Sequence, residues 1–367
     1  MAKNINIVCF YASEYAGNFI PSLLHFAESC DKNINIIFTF PKEAESRYWI
    51  KFLEQRKYKV FFLSSFKGKT FKKELKKINK ENNINVLYSH FISGLKIKAV
   101  YPFNKKMKLT IHVHSDFSGS KKVSFKRRIR RFFELSILRR DADYIFVGDS
   151  LSFKHGKHFH SVTNALCLDR IVNKKLDIEL FKKENDITDS HTVFLMFAWS
   201  PYIKGVDVAI KAFLNLTEEE KEKVRFVIVH GRGDGYLRCI DYLAEKLGNK
   251  DFLNEKHIKY VKPVEDMFAL YSIADVFISA SRSEGFSYAI LESLYLGLNS
   301  IISNIKGSIW AASYPLVDVF ESENSMELSK IIKNKISLKS DKHINEKIAI
   351  DYNISKWCES IKKIVVE

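Results

Sequence analysis

The chain has 367 residues, 46% of them hydrophobic, enough for two domains of ordinary size with real cores, which excludes a disordered or fibrous protein. Five cysteines, Cys9, Cys30, Cys167, Cys239 and Cys358, are odd in number and form no CxxC pair, which argues against a disulfide framework or a structural zinc site and favours a reducing compartment. With 59 Lys and Arg against 43 Asp and Glu the formal net charge is +16, so an anionic partner is favoured: nucleic acid, phospholipid or a phosphorylated substrate.

The first residues read as a short buried strand and lack the pattern of a signal peptide, and no run of about 18 uncharged apolar residues follows, so no spanning helix is expected. Apolar, β-branched runs at residues 5–10, 34–40, 60–63, 86–89, 109–113 and 144–147 have the length of buried strands. Charged, helix-favouring segments lie between them, as at 19–30, 43–56 and 71–81. Such alternation implies a parallel sheet covered on both faces.

Residues 169–190 are polar and contain no strand-like run, which places the crossing into a second domain there. Strand patterns resume at 193–198, 224–230, 257–261, 276–279 and 300–303, and helix patterns at 206–215, 236–246, 264–273 and 287–296. The expected architecture is α/β, with two Rossmann-like domains facing across a cleft. Residues 1–168 form the N-terminal domain and 169–343 the C-terminal one, and a charged helix in 344–367 crosses back to the first. Ligands of such folds bind beyond the C-terminal ends of the strands, so motifs are sought there.

One stands directly after the strand at 276–279: Ser281-Arg282-Ser283-Glu284-Gly285-Phe286-Ser287-Tyr288-Ala289-Ile290-Leu291-Glu292. Gly285 permits close approach of backbone to a ligand, and Ser287 is a good cap for the following helix, whose first amides suit a phosphate. Glu284 and Glu292 suit different hydroxyls of one extended ligand. In isolation the two glutamates read better as solvated charges; their surroundings reverse that preference.

Those surroundings resemble the donor motif of retaining family 4 glycosyltransferases (group 1) of the GT-B fold. The resemblance extends to Phe197-Ala198-Trp199-Ser200-Pro201-Tyr202-Ile203-Lys204-Gly205-Val206-Asp207, to Gly231-Arg232-Gly233 after the strand at 226–230, to Tyr260-Val261, and to residues 270–276, covering roughly residues 190–305. It implies that Lys204 neutralises the donor diphosphate, Glu292 binds the ribose and Glu284 holds the transferred sugar. Gly285 and Phe286 would offer amides, with Ser287, Gly231, Arg232 and Val261 completing the donor pocket. In the family an arginine usually precedes the lysine by five or six residues, and here Ala198 and Trp199 stand there. Arg232 or Arg282 are the available replacements.

In the first half, Thr110-Ile111-His112-Val113-His114-Ser115-Asp116 ends a strand with both histidines on one face. The resemblance makes His114 the catalytic-site histidine that contacts the donor sugar. A metal reading of His-x-His-x-Asp needs further ligands, and His155, His158 and His160 form no obvious convergent set. The loop after the first strand, glycine-rich in the family and there a donor contact, retains only Gly17, which the resemblance makes a donor-binding residue within reach of the diphosphate. Its Tyr11, Tyr15 and Glu14 equally suit an acceptor pocket. Residues 121–140 and 67–80 are basic runs; interleaved with apolar residues, they fit an anionic membrane surface or a solvated helix face. No nucleic-acid motif accompanies the charge.

The resemblance therefore implies a cytoplasmic enzyme, peripheral on the inner face of the plasma membrane. It would move a hexose from a UDP- or GDP-sugar, with retention and without a metal cofactor, to a hydroxyl of a growing, lipid-linked bacterial surface glycan. The rival expectation, motivated by the absent arginine, is a non-catalytic glycan-binding or scaffold subunit.

Overall fold

A computed structural model describes residues 4–15, 17, 19–92, 96–97, 107–114, 142–148, 158–169, 172, 174–340 and 342–367. The chain divides into two compact units, residues 1–171 with 352–367, and residues 172–351. The basic run at 121–140 lies outside the described residues, as do Ser115, Asp116 and His155.

In the first unit seven parallel strands pair in the order β3-β2-β1-β4-β5-β6-β7. They are β1 (Ile5–Tyr11), β2 (Ile34–Pro41), β3 (Lys59–Leu63), β4 (Val86–His90), β5 (Lys108–Val113), β6 (Asp143–Phe146) and β7 (Phe159–Ser161). β7 escaped the sequence reading because three residues, one of them a half-buried histidine, carry no apolar run. Val8, Phe10, Leu87, Leu109 and Ile111 fill one face of the sheet against Phe71, Leu75 and Ile78. Burying side chains of this size contributes about 1.5–3 kcal/mol each.

Those last three side chains are the apolar stripe of α3 (Gly68–Asn82), while Lys69, Lys72, Lys73, Lys76, Lys77 and Lys80 on the same helix are exposed. The basic run at 67–80 is thus the solvated side of an amphipathic helix. α1 (Phe19–Ser29) buries eight of its eleven residues. The helix expected over 43–56 is instead a tight turn at Lys42–Ala44 followed by the short α2 (Ile50–Gln55). Arg47, between them, pairs with Glu14 rather than continuing a helix.

The C-terminal helix Ile354–Val365 belongs to this first unit and packs on α1. Its Trp357 ring lies 5.9 Å from that of Phe19, and Lys362 Nζ is 2.8 Å from Asp31. The preceding helix, Glu346–Asp351, stays with the second unit, so the chain passes between units after residue 351 rather than at 344.

The second unit is a six-stranded parallel sheet in the order β10-β9-β8-β11-β12-β13. Its strands are β8 (Thr192–Ala198), β9 (Val224–His230), β10 (Ile258–Val261), β11 (Val276–Ser279), β12 (Asn299–Ser303) and β13 (Val317–Phe320). β13 is an edge strand with half-buried Val317, Asp318 and Val319, so its Val-Asp-Val-Phe does not read as a buried run. Strand order reverses between β8 and β11, the place where open α/β sheets leave a crevice. Both strands are sealed underneath by Phe194, Met196, Val276 and Ile278. Among the described residues no helix is long and apolar enough to cross a membrane.

Candidate active site

β8 ends at Ala198 and leads through Ser200 into one helical turn, α5 (Pro201–Lys204), which follows α4 (Ile178–Glu184). Pro201 is favourable at a first helical position. Gly205 closes that turn with φ +66°, a left-handed conformation in which its amide reaches Pro201 O and Tyr202 O. A Cβ there would also stand 2.0 Å from the carbonyl oxygen of Ala280, so glycine alone lets this turn lie against the end of β11. Arg282 N donates to Ile203 O at 2.7 Å, joining the two loops.

The consequence is that Lys204 and Glu284, eighty residues apart, meet. Lys204 Nζ lies 2.5 Å from Glu284 Oε1, and both side chains are 11% exposed. Ser281 Oγ donates to the same oxygen at 2.7 Å. Gly307 packs beneath, where a Cβ would be 2.2 Å from Glu284 O. Lys204, Ser279, Ser281 and Ser287 line one recess at the strand ends.

Ser287 caps the helix Tyr288–Tyr295, its hydroxyl accepting from Ile290 N at 3.4 Å. Gly285 and Phe286 are buried just ahead of it, the Phe286 ring stacked on Trp310 at 4.6 Å. Glu292 lies inside that helix at 3% exposure, where its Oε2 accepts from Tyr271 OH at 3.0 Å. This partner was not foreseen: Tyr271 belongs to the helix Met267–Ile273 packed beside it. Val261 ends β10 and Gly231 follows β9, each buried, whereas Arg232 is exposed.

Arg282, one of the two available replacements for the absent arginine, is neither a surface residue nor an unpaired cation: its side chain is buried against Asp207. Its two terminal nitrogens each lie 2.8 Å from an oxygen of Asp207, and Nη1 also donates to Tyr202 O at 2.7 Å. Asp207 opens the helix Val206–Leu214 and accepts a further bond from Tyr242 OH at 2.8 Å. Burial pushes the Asp207 carboxyl upward, but the bonds from Arg282 and Tyr242 outweigh it and hold the group below the usual carboxylate range. Where the family usually has an arginine, Trp199 is 57% exposed with Lys204 Nζ 5.0 Å from its ring centroid.

In the first unit, β4 and β5 pair so that His90 stands opposite His112. His114, two residues on, shares that face, and His90 Nδ1 lies 3.2 Å from His114 Nε2. Tyr88 OH is 2.7 Å from His112 Nδ1. Burial lowers all three histidines, His114 to about 3, so the imidazoles are uncharged at neutral pH. His90 was missed because the apolar run was read as ending at Ser89. Its strand position was the available signal.

In the loop after β1, Glu14 pairs with Arg47. Tyr11 is core, its hydroxyl donating to Tyr15 O at 3.1 Å, and Gly17 lies exposed in the turn before α1.

The family described as "Glycosyl transferases group 1" matches residues 177–341. A Campylobacter jejuni N,N'-diacetylbacillosaminyl-diphospho-undecaprenol alpha-1,3-N-acetylgalactosaminyltransferase is 29% identical over 44% of this chain and 38% of its own length. The Escherichia coli O-antigen biosynthesis glycosyltransferase WclY is 31% identical over 47% of this chain and 44% of its own. The chain thus aligns with less than half the length of either relative. The crystal structure of Anabaena Alr3699/HepE with UDP and glucose has 15% identity and a TM-score of 0.77, covering 98% of this chain and 99% of that one.

Proposed function

We propose, from the match of residues 177–341 to the group 1 glycosyltransferases and the two-Rossmann GT-B fold, that this chain transfers a hexose or related sugar from a UDP- or GDP-sugar to a hydroxyl of a growing, lipid-linked bacterial surface glycan. The observation that carries the reading is the meeting of Lys204 and Glu284 at the ends of β8 and β11. A scaffold has no physical need for a lysine and a carboxylate converging in a recess at the strand-order switch of this sheet.

In this reading the donor diphosphate displaces Glu284 from Lys204. The ammonium then meets charge that grows as the bond from the anomeric carbon to the phosphate oxygen breaks. The amides of residues 288 and 289, at the start of a helix capped by Ser287, add favourable dipoles. Glu284, released, accepts hydroxyl protons of the sugar in hydrogen bonds, and Glu292 with Tyr271 holds the ribose. Gly285, Phe286, Gly231, Arg232 and Val261 complete the pocket.

Transfer proceeds with retention at the anomeric carbon. The acceptor oxygen attacks from the side the diphosphate leaves, and the acceptor proton passes to a departing phosphate oxygen, so no protein carboxylate need act as nucleophile. The same arrangement meets the diphosphate charge with Lys204 and helix amides rather than a metal. HepE, which holds UDP in its crystal structure, supports the UDP alternative, and the undecaprenol-linked substrate of the Campylobacter relative supports a lipid-linked acceptor.

Calorimetric titration with UDP and with GDP, followed by turnover with matching nucleotide sugars, tests the proposal. Specific binding of one nucleotide and release of that nucleotide during transfer are expected. Failure of both nucleotides to bind at millimolar concentration would replace this reading with the scaffold one, and a trapped glycosyl-enzyme would overturn the one-step mechanism.

A further inference from the structure

We propose that Ser281 is a positioning residue for the transfer reaction: its hydroxyl keeps the Glu284 carboxylate aimed at the donor sugar once the diphosphate has taken Lys204 from it. The inference rests on the donor-site reading and adds to it a residue that touches neither nucleotide nor sugar.

Glu284 Oε1 is held from two directions, by Lys204 Nζ at 2.5 Å and by Ser281 Oγ at 2.7 Å. A ligand acts differently on the two donors. Lys204 ends a single helical turn, and its ammonium is the charge a diphosphate meets, so its hold on the carboxylate ends when the donor binds. Ser281 carries no charge for a phosphate to compete for, and the one proton of its hydroxyl already goes to Glu284.

Ser281 is also fixed from behind. Ser303 Oγ donates to Ser281 O at 2.6 Å and Ser308 Oγ donates to Ser303 O at 2.6 Å, all three serines being 0% exposed. The next amide, Arg282 N, donates to Ile203 O at 2.7 Å. Ser281 is thereby tied both to the end of β12 and to the turn that carries Lys204, an anchorage independent of any ligand. A carboxylate released from its cation in so enclosed a place costs free energy unless another donor remains on it, and Ser281 is that donor. With Oε1 held, the carboxylate cannot rotate freely, and Oε2 is the oxygen assigned to the sugar. Such placement acts on the bond-breaking step, so its loss appears in kcat rather than in nucleotide affinity.

The test compares Ser281→Ala with wild type in nucleotide calorimetry and in steady-state transfer from the nucleotide sugar that wild type uses. A kcat lower by about ten- to a hundredfold is expected, the scale of one hydrogen bond to a charged group. Nucleotide Kd and donor KM should stay within about threefold of wild type. In a Glu284→Ala background, Ser281→Ala should cost less than about a further twofold, because the serine acts through that carboxylate. Thr192→Val serves as the control: it deletes a fully buried hydroxyl that accepts from Ser337 N at 2.9 Å, at the opposite end of β8 from Lys204. It should lower the melting temperature and leave kcat unchanged, which separates positioning from a general loss of stability. Wild-type kcat in Ser281→Ala, weakened nucleotide binding, or an undiminished loss in the Glu284→Ala background would each overturn the inference. Wild-type protein that neither binds nucleotide nor transfers sugar would instead overturn the donor-site reading, and the inference with it.

Discussion

Arg282 holds both carboxylate oxygens of Asp207 at 2.8 Å, with the two side chains only 8% and 7% exposed. The bond pair fixes the loop that follows β11 to the first turn of the helix that follows Lys204. Removing either partner leaves a buried charge unpaired, which is worth about 3–5 kcal/mol. Asp207→Ala and Arg282→Ala are therefore expected to lower the stability of the second unit by that amount, measured by denaturant unfolding. The double variant should lose much less than the sum. Additive losses would show that the pair is not coupled.

The same pair sets an acid limit. Asp207 has a folded-state pKa below its unfolded value near 3.9, so the unfolded chain binds its proton first as pH falls. Its stabilisation is fully present above the unfolded pKa and disappears as pH drops through the lower folded one. Unfolding measured between pH 7 and pH 3 should show wild-type stability falling over the acid end of this range. Asp207→Asn, already weaker at pH 7, should show a flatter limb. Parallel limbs in the two proteins would assign the acid loss to other carboxylates.

Lys204 and Glu284 make opposite predictions for binding and turnover. Lys204→Gln deletes the charge that the diphosphate meets and should weaken the preferred nucleotide by about 10- to 100-fold, the range expected for a charge-assisted bond of about 1.5–3 kcal/mol. Glu284→Gln removes the carboxylate that must be displaced from Lys204. It should bind nucleotide at least as tightly as wild type while kcat with the nucleotide sugar falls by about a hundredfold or more, on the scale of losing one transition-state interaction. Weaker nucleotide binding in Glu284→Gln would place that carboxylate on the nucleotide rather than the sugar.

Trp199 carries a further prediction because it stands where the sequence resemblance leads one to expect an arginine. Its exposed ring lies 5.0 Å from Lys204 Nζ, so it holds the ammonium by its π-face. Trp199→Arg should strengthen nucleotide binding if a second charge at this position can reach the diphosphate, and Trp199→Ala should weaken it by about two- to fivefold, a contact of roughly 0.5–1 kcal/mol. Calorimetry on both variants checks this. Unchanged affinity in both would remove Trp199 from the nucleotide's neighbourhood.

Much of this architecture was legible because the signals were local. Fully buried strands such as β9 read as continuous apolar runs, and Ser287 before an apolar helix announced its own cap. The two strands that escaped are a three-residue one and an edge one, neither of which needs a continuous apolar run. At the site, Lys204, Gly205 and Glu284 stood out through their neighbours. The partners of Asp207, Tyr271 and His90 did not, because each is distant in sequence: Arg282 seventy-five residues on, Glu292 on an adjacent helix, and His114 across a strand register. The lysines at 67–80 are turned outward by the helical periodicity of α3, whose apolar stripe alone faces the sheet.

Gly307 offers a way to displace Glu284 without changing a charged residue. A Cβ on Gly307 would sit 2.2 Å from Glu284 O and 2.6 Å from both Glu284 C and Glu284 Cβ, distances that no rotamer change can relieve because two of these atoms are backbone. Gly307→Ala must therefore move the loop at residue 284, and overpacking of this kind costs about 1–3 kcal/mol. The β11 and β12 strands on either side remain buried and paired, so the fold should survive with a melting temperature lowered by several degrees. Displacement breaks the Lys204–Glu284 contact and misplaces the carboxylate assigned to the sugar. Transfer should then fall by about two orders of magnitude, since small errors in position are costly to catalysis, while nucleotide binding through Lys204 persists. Gly205→Ala should differ, because it adds left-handed strain at φ +66° to a 2.0 Å clash with Ala280 O and shifts Lys204 itself. Loss of nucleotide binding in Gly205→Ala but not in Gly307→Ala, read by calorimetry on folded protein, would separate the two loops' roles. Wild-type transfer by Gly307→Ala would show that Glu284 need not occupy this position.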